Sequence, residues 1–193
     1  MEKPKAEKKR RFTKKEWSWI LYDWANSVYA TNIMAAIFPT IFVSIAGEAG
    51  DIWWGYATSI ATFLVAVLAP LLGAVADYKG MKKKLFTGFM LAGVIFTALI
   101  ALTNDWRVML LGYIVSRIGF SGSNLFYDSF LTDVTDDSRM DKVSSWGYAM
   151  GYIGGSTIPF LLSIAMLLLL GYSSPVAQKF SILITSVWWL VFS

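Results

Sequence analysis

The sequence predicts an all-α protein that crosses a membrane several times. Three observations predict it. Apolar residues make up 56% of the 193 residues and charged residues only 16%, against roughly 45–50% and about 25% in soluble domains. The apolar residues gather into blocks of about 20, the length an α-helix needs to cross the bilayer hydrocarbon. The connections between blocks are short and alternate between loops that carry several lysines and arginines and loops with at most one, as they would if successive loops lay on opposite sides. A transmembrane barrel would instead show short strands of alternating hydrophobicity.

Residues 1–16 form a basic tail. Lys3, Lys5, Lys8, Lys9, Arg10, Arg11, Lys14 and Lys15 are eight of the 17 lysines and arginines. Such a run suits nucleic acid or anionic lipid. Here it abuts an apolar block at Trp17 and no soluble domain accompanies it, so a tail beside a membrane is expected and nucleic acid is not. The first span is expected over 17–46, with Pro39 bending its outer end. Asp23 and Asn26 near its start are out of place in a cleaved signal core, so the span is read as retained. Further spans are expected over 52–76, 85–102, 106–131 and 143–170. A sixth, over 179–193, is still apolar at Ser193 and reads as a helix cut short.

The loop Asp77–Lys84 holds Lys79, Lys82, Lys83 and Lys84, and Thr132–Lys142 holds Arg139 and Lys142 among four aspartates. With the tail they place 14 basic residues on one side, against Arg107 and Lys179 on the other. The excess of positive charge on cytoplasmic loops then puts the N-terminus in the cytoplasm. The chain has no cysteine and no histidine. No metal site or cofactor is expected, and any proton relay must use carboxylates. No nucleophile elbow or phosphate-binding loop is present, so no enzyme is expected.

Polar residues inside the spans carry the remaining information, because charge in hydrocarbon is costly and turns toward cavities or partners. Asp23 lies roughly 9 Å past Trp17 at 1.5 Å per residue. Asp23, Asn26, Ser27 and Ala30 share one helix face, with Tyr22, Asn26 and Tyr29 beside it. Alternatively, Asp23 is near enough to the interface to pair with Lys14 or Lys15. In the fourth span Tyr113, Arg117, Ser121, Asn124 and Asp128 fall within roughly an 80° arc. That stripe either lines a cavity, with Arg117 holding an anionic group, or pairs Arg117 with a carboxylate such as Asp23. In the fifth span Gly147, Gly151 and Gly155 stand four apart, a spacing that permits close helix packing. Pro70 reads as a kink in the second span.

Between the second and third spans stands Gly73-Ala-Val-Ala-Asp77-Tyr-Lys79-Gly80-Met-Lys82-Lys83-Lys84. A glycine lets two helices approach, and Gly80 supplies a tight turn. Its bland reading is an ordinary basic turn. The segment resembles the loop signature of the major facilitator superfamily in position and in glycine and aspartate spacing. Tyr78 and Met81 depart from it where basic residues are usual. The string Tyr22-Asp23-Trp24-Ala25-Asn26-Ser27-Val28-Tyr29 resembles the opening helix of one branch of that superfamily, the vacuolar amino-acid effluxers linked to autophagy and their bacterial relatives.

The resemblance implies a fold of two six-helix bundles, each built of inverted three-helix repeats. This chain would be the first bundle, its sixth helix truncated, with a C-terminal six-helix half beyond Ser193. It implies secondary transport of a small polar solute, amino acids among the candidates, by alternating access in a bilayer. Asn26, Tyr29, Arg117, Ser121 and Asn124 would then bind substrate, and Asp23 and Asp128 would couple protons. Gly73, Asp77, Gly80, Lys82, Lys83 and Lys84 would form a gate latch. A bacterial plasma membrane is favoured by the short tail and the lack of organelle signals. Two other classes stay open: a six-helix half that works as a homodimer, and a membrane scaffold or receptor without transport.

Overall fold

The computed structural model describes residues 11–76, 78 and 80–193. Lys3, Lys5, Lys8, Lys9 and Arg10 of the tail, and Asp77 and Lys79 of the loop, lie outside the described residues. Among the described residues there are helices and turns and no strand.

Helix α1 (Lys14–Val28) starts three residues ahead of the expected span because it is capped. The Thr13 hydroxyl accepts from the Glu16 amide at 3.2 Å, and the Glu16 carboxylate accepts from the Thr13 amide at 2.7 Å. This reciprocal box satisfies two amides that a helix start leaves open. The chain continues as a π-helical segment, Tyr29–Ala35, and then as α2 (Ile37–Ala46). The break falls at Ala36 (φ −124°, ψ −57°), ahead of Pro39 and not at the outer end beyond it. Proline has no amide to donate, and its ring conflicts with the carbonyl four residues earlier. For Pro39 that residue is Ala35, the last of the loosened turns. The Ala36 amide reaches back five residues to the Thr31 carbonyl, 2.9 Å away.

A 3₁₀ turn (Gly47–Ala49) leads to α3 (Gly50–Ala76), which runs through Pro70 as one helix. Gly80 adopts φ 78°, a left-handed conformation that residues with a Cβ avoid. Helix α4 (Met81–Leu102) follows at once, so Lys82, Lys83 and Lys84 form its first turn. Helix α5 (Trp106–Ser129) is capped by the Asp105 side chain, which accepts from the Arg107 amide at 2.9 Å. The short α6 (Leu131–Val134) and a 3₁₀ turn (Asp137–Arg139) lead to α7 (Met140–Met150). A second π-helical segment, Gly151–Thr157, passes into α8 (Ile158–Leu170) at Pro159, for the same reason as at Pro39. Helix α9 (Pro175–Phe192) starts at a proline, where the missing amide costs nothing.

Among the described residues four helical stretches are long and apolar enough to cross a membrane: 14–75, 81–102, 137–170 and 175–192. Large apolar side chains are exposed along the outer faces of α3, α8 and α9, which suits lipid better than water. Helix α5 is not among the four; it carries Arg107, Arg117 and Asp128 and several glycines and serines. Its small residues serve packing. A Cβ at Gly119 would run into the backbone of Gly93 in α4, so α4 and α5 touch main chain to main chain. The wholly buried Trp189 of α9 lies over the same Gly93.

Lys14, Lys15, Lys82 and Arg139 gather at one end, around Asp133. Lys82 bonds Asp133 at 2.7 Å and the Ser129 carbonyl at 3.3 Å, tying α4 to the end of α5. Arg139 bonds the buried Glu16, tying the α7 approach to the start of α1. At Gly73 the expected close approach is not present: nothing among the described residues lies within 4 Å of where a Cβ would stand. The neighbouring Leu71 and Val75 are exposed, so this end of α3 turns a free face outward.

Candidate functional site

The polar face of α1 is turned toward other helices. It lies against the glycines of the 140–157 stretch, which lack side chains to hold it off. A Cβ at Gly147 would stand 2.7 Å from the Trp19 ring. One at Gly151 would stand 2.6 Å from Ser27 Oγ and 2.9 Å from Asp23 Oδ2, and one at Gly155 would run into the Trp24 carbonyl. Gly154 makes room for the Trp24 indole. On its other side α1 is tied to α5: Asn26 Nδ2 donates to Asn124 Oδ1 at 2.8 Å. Trp19 Nε1 donates to the Tyr127 carbonyl at 3.0 Å, with the two rings stacked 4.4 Å apart.

Between these helices a cavity of about 530 Å³ opens. Helix α1 contributes Trp19, Asp23, Asn26 and Ser27, and the π-helical segment after it Ala30, Thr31 and Ala35. Helix α5 contributes Phe120, Asn124, Tyr127 and Asp128. Tyr148 of α7 and Tyr152 and Ser156 of the second π-helical segment complete the wall. Both π-helical segments thus border the cavity. Such segments interrupt the regular ladder and are frequent at functional sites.

Of the expected site residues, the structure brings together Asn26 and Asn124, expected to bind substrate, and Asp23 and Asp128, expected to couple protons. Ser27 Oγ lies 3.4 Å from Asp23 Oδ1, a long bond, and Ser156 Oγ donates to the Ser27 carbonyl at 3.3 Å. Tyr29 stands apart from the group. It is buried, bonded through its hydroxyl to Ser116 Oγ at 2.7 Å, and stacked on Phe120 at 4.7 Å. Arg117 and Ser121 also stand apart. Arg117 Nη1 donates to Ser121 Oγ at 3.0 Å, and its guanidinium lies 5.8 Å from the Phe120 ring centre. Among the described residues no carboxylate pairs with Arg117, and neither Lys14 nor Lys15 pairs with Asp23. Lys14 and Lys15 border a separate space of about 480 Å³ at the basic end, with Glu16, Asp133 and Arg139.

Several wall residues were not anticipated. Tyr148, Tyr152 and Ser156 stand four apart, one position on from the glycine stripe, and their spacing alone marked a polar aromatic face. Glu16 with Thr13 carried the Thr-x-x-Glu pattern of a helix start. Trp19 and Tyr127 had no such signal, since their meeting depends on how α1 and α5 cross.

Comparison with known proteins agrees with the architecture. Residues 52–140 and 132–193 match a family model described as vacuole effluxer Atg22 like. The chain is 48% identical over 197 residues to a protein of Bacillus subtilis strain 168 described as an uncharacterized MFS-type transporter, YxiO. That match covers 95% of this chain and 46% of the relative. It is 26% identical over 144 residues to a protein of Aquifex aeolicus strain VF5 described only as uncharacterized, covering 74% of this chain and 36% of that one. The chain therefore spans less than half the length of either relative. No solved structure matches it. The family and the Bacillus relative are named for transport and not for catalysis. The family match takes in 52–193, well over half of the chain, and on that ground the chain belongs to the vacuole effluxer Atg22-like family.

Proposed function

We propose that this chain is the N-terminal half of a secondary active transporter that moves a small polar solute by alternating access. The observation that carries the reading is the polar cavity. Asp23, Asn26, Asn124 and Asp128 converge on it inside helices whose outer faces are apolar. Buried polar groups in hydrocarbon are costly and mark solute paths. In this reading the stretches 14–46, 50–76, 81–102, 106–129, 140–170 and 175–192 are six spans with the basic end in the cytoplasm. The cavity opens past Tyr148 and Tyr152, 66% and 73% exposed, which invites a second bundle. The Bacillus relative is about twice as long as the matched region, which favours a C-terminal half of the same polypeptide over self-pairing.

The latch role is proposed for Gly73, Gly80, Lys82, Lys83 and Lys84 together with Asp77. The Lys82–Asp133 pair supports it, because a loop tied to the end of α5 moves with that helix. Arg117 is proposed to meet the solute at a stage of transport beyond this cavity, since among the described residues its guanidinium bonds Ser121, lies near the Phe120 ring and pairs with no carboxylate. Asp23 and Asp128 are proposed to exchange protons. A solute screen in proteoliposomes containing the complete protein tests the reading. Arg117→Ala should abolish transport of the solute found while leaving insertion and yield intact. Unchanged transport would remove Arg117 from the path, and silence toward every solute would favour a scaffold.

A further inference from the structure

The cavity is lopsided in charge. The wall that this chain supplies holds two carboxylates, Asp23 and Asp128, and among the described residues neither lysine nor arginine. Neither carboxylate is engaged by a cation: Asp23 has the long Ser27 contact, and no hydrogen bond to the exposed Asp128 side chain occurs among the described residues. A second, independent observation points the same way. Tyr127 lines the cavity and is 6% exposed, yet its hydroxyl has no hydrogen-bond partner among the described residues. The hydroxyl points to where α1 and α7 meet, since a Cβ at Gly147 would stand 3.4 Å from it. A buried hydroxyl without a partner keeps its desolvation cost unrepaid, so an occupant that bonds it is favoured.

Resting on the transport reading, we propose that the occupant is a small organic cation. Its ammonium head sits between Asp23 and Asp128 and against the rings of Trp19, Tyr127, Tyr148 and Tyr152. An ammonium brings three donors, which two carboxylates and a tyrosine oxygen accept. Indole and phenol faces add cation–π attraction, strongest when desolvated. The volume of about 530 Å³ suits a small molecule. The charges of this chain alone do not hold a zwitterion at both ends, and on the cavity wall an α-carboxylate would meet two like charges. Arg117 does not line the cavity, and along α5 it is about 10 Å from Asn124 and about 16 Å from Asp128 at 1.5 Å per residue. The ammonium and carboxylate of an α-amino acid are only a few ångströms apart, too close to bridge Asp128 and Arg117.

Three probes that share a phenyl ring and differ in charge test this: phenethylamine, L-phenylalanine and 3-phenylpropionate. Binding to the complete protein, purified in detergent, is measured by calorimetry. Phenethylamine should bind at least about tenfold more tightly than the other two, the effect of one charge-assisted bond. Asp23→Asn and Asp128→Asn should each weaken it about tenfold, and Tyr127→Phe by less. Asp128 is exposed, so its variant folds even if the Asp23 variant does not. Equal or tighter binding of phenylalanine or phenylpropionate overturns the proposal. So does failure to bind phenethylamine, or unchanged binding in Asp128→Asn. The two readings fail separately. Phenethylamine bound by a protein that transports nothing would sink transport alone. An anion or zwitterion transported by a protein that ignores phenethylamine would sink the cation site alone.

Discussion

Removing the Arg139 side chain should cost more stability than neutralising its partner Glu16, although both changes break the same ion pair. Glu16 is 2% exposed and Arg139 15%. The carboxylate accepts from Arg139 Nε at 2.8 Å and Nη2 at 3.0 Å, from Thr135 Oγ1 at 2.7 Å and from the Thr13 amide at 2.7 Å. Arg139→Ala deletes both charged donors and leaves an anion that water barely reaches. Breaking a buried pair in this way costs about 3–5 kcal/mol. Glu16→Gln leaves the more exposed guanidinium, which can turn to solvent, and its amide oxygen still accepts from Thr135 or Thr13. Its cost should be nearer 1–2 kcal/mol, that of a charged hydrogen bond partly replaced. The double variant leaves no buried charge and should cost less than the two single costs added together. Unfolding of the complete protein in mixed micelles of rising SDS content, followed by tryptophan fluorescence, reads all three. The reasoning fails if Glu16→Gln is as harmful as Arg139→Ala, or if the double variant shows simple additivity.

Three further outcomes follow from the packing. Thr13→Ala removes half of the capping box of α1 and should cost about 1 kcal/mol in the same assay, with no change in the solute accepted. Gly119→Ala should lower stability by about 1–3 kcal/mol, because its Cβ would meet the backbone of Gly93 and Phe89, which cannot turn aside. Gly88→Ala in α4, with nothing within 4 Å, should be near neutral; equal effects would refute the close contact of α4 and α5. Gly151→Ala should leave the fold intact and weaken transport by tenfold or more, since displacing a binding group by about 1 Å can cost on the order of a hundredfold. The three atoms nearest its Cβ are the ends of Ser27 and Asp23, which can move, and transport at the wild-type rate would show that Asp23 need not stay in place.

The helices were legible before the structure because hydrocarbon sets their length and hides their backbone bonds, so composition along the chain reports them. Their starts were less legible. The expected first residues 17, 85 and 179 fall inside helices that begin at Lys14, Met81 and Pro175. Apolarity marks where lipid begins, whereas a helix begins where its amides find a cap. Pro39 was visible, but the position of the break was not, because proline disturbs the residues before it. In the candidate site, Asp23, Asn26, Asn124 and Asp128 could be grouped in advance since each pair shares one helix face. Tyr29 could not be separated from them. One position to the side of that face, it is stacked on Phe120 and bonded to Ser116, partners set by how α1 crosses α5.

The sequence by itself determined that the chain is helical, that its helices suit a membrane, which end is basic, and which faces of the first and fourth apolar blocks are polar. Each of these is a local property, read from one helix period or one block length. Only the tertiary structure decided that Trp19, Tyr127, Tyr148 and Tyr152 wall the same cavity as Asp23 and Asp128, and that Arg117 stands outside it. It also decided that Glu16 meets Arg139, 123 positions away. Those outcomes rest on the distance of closest approach between helices, which Gly147, Gly151 and Gly155 set for α1 and the 140–157 stretch and Gly93 and Gly119 for α4 and α5. A missing side chain acts on its neighbour in space, and the identity of that neighbour is written in no single segment.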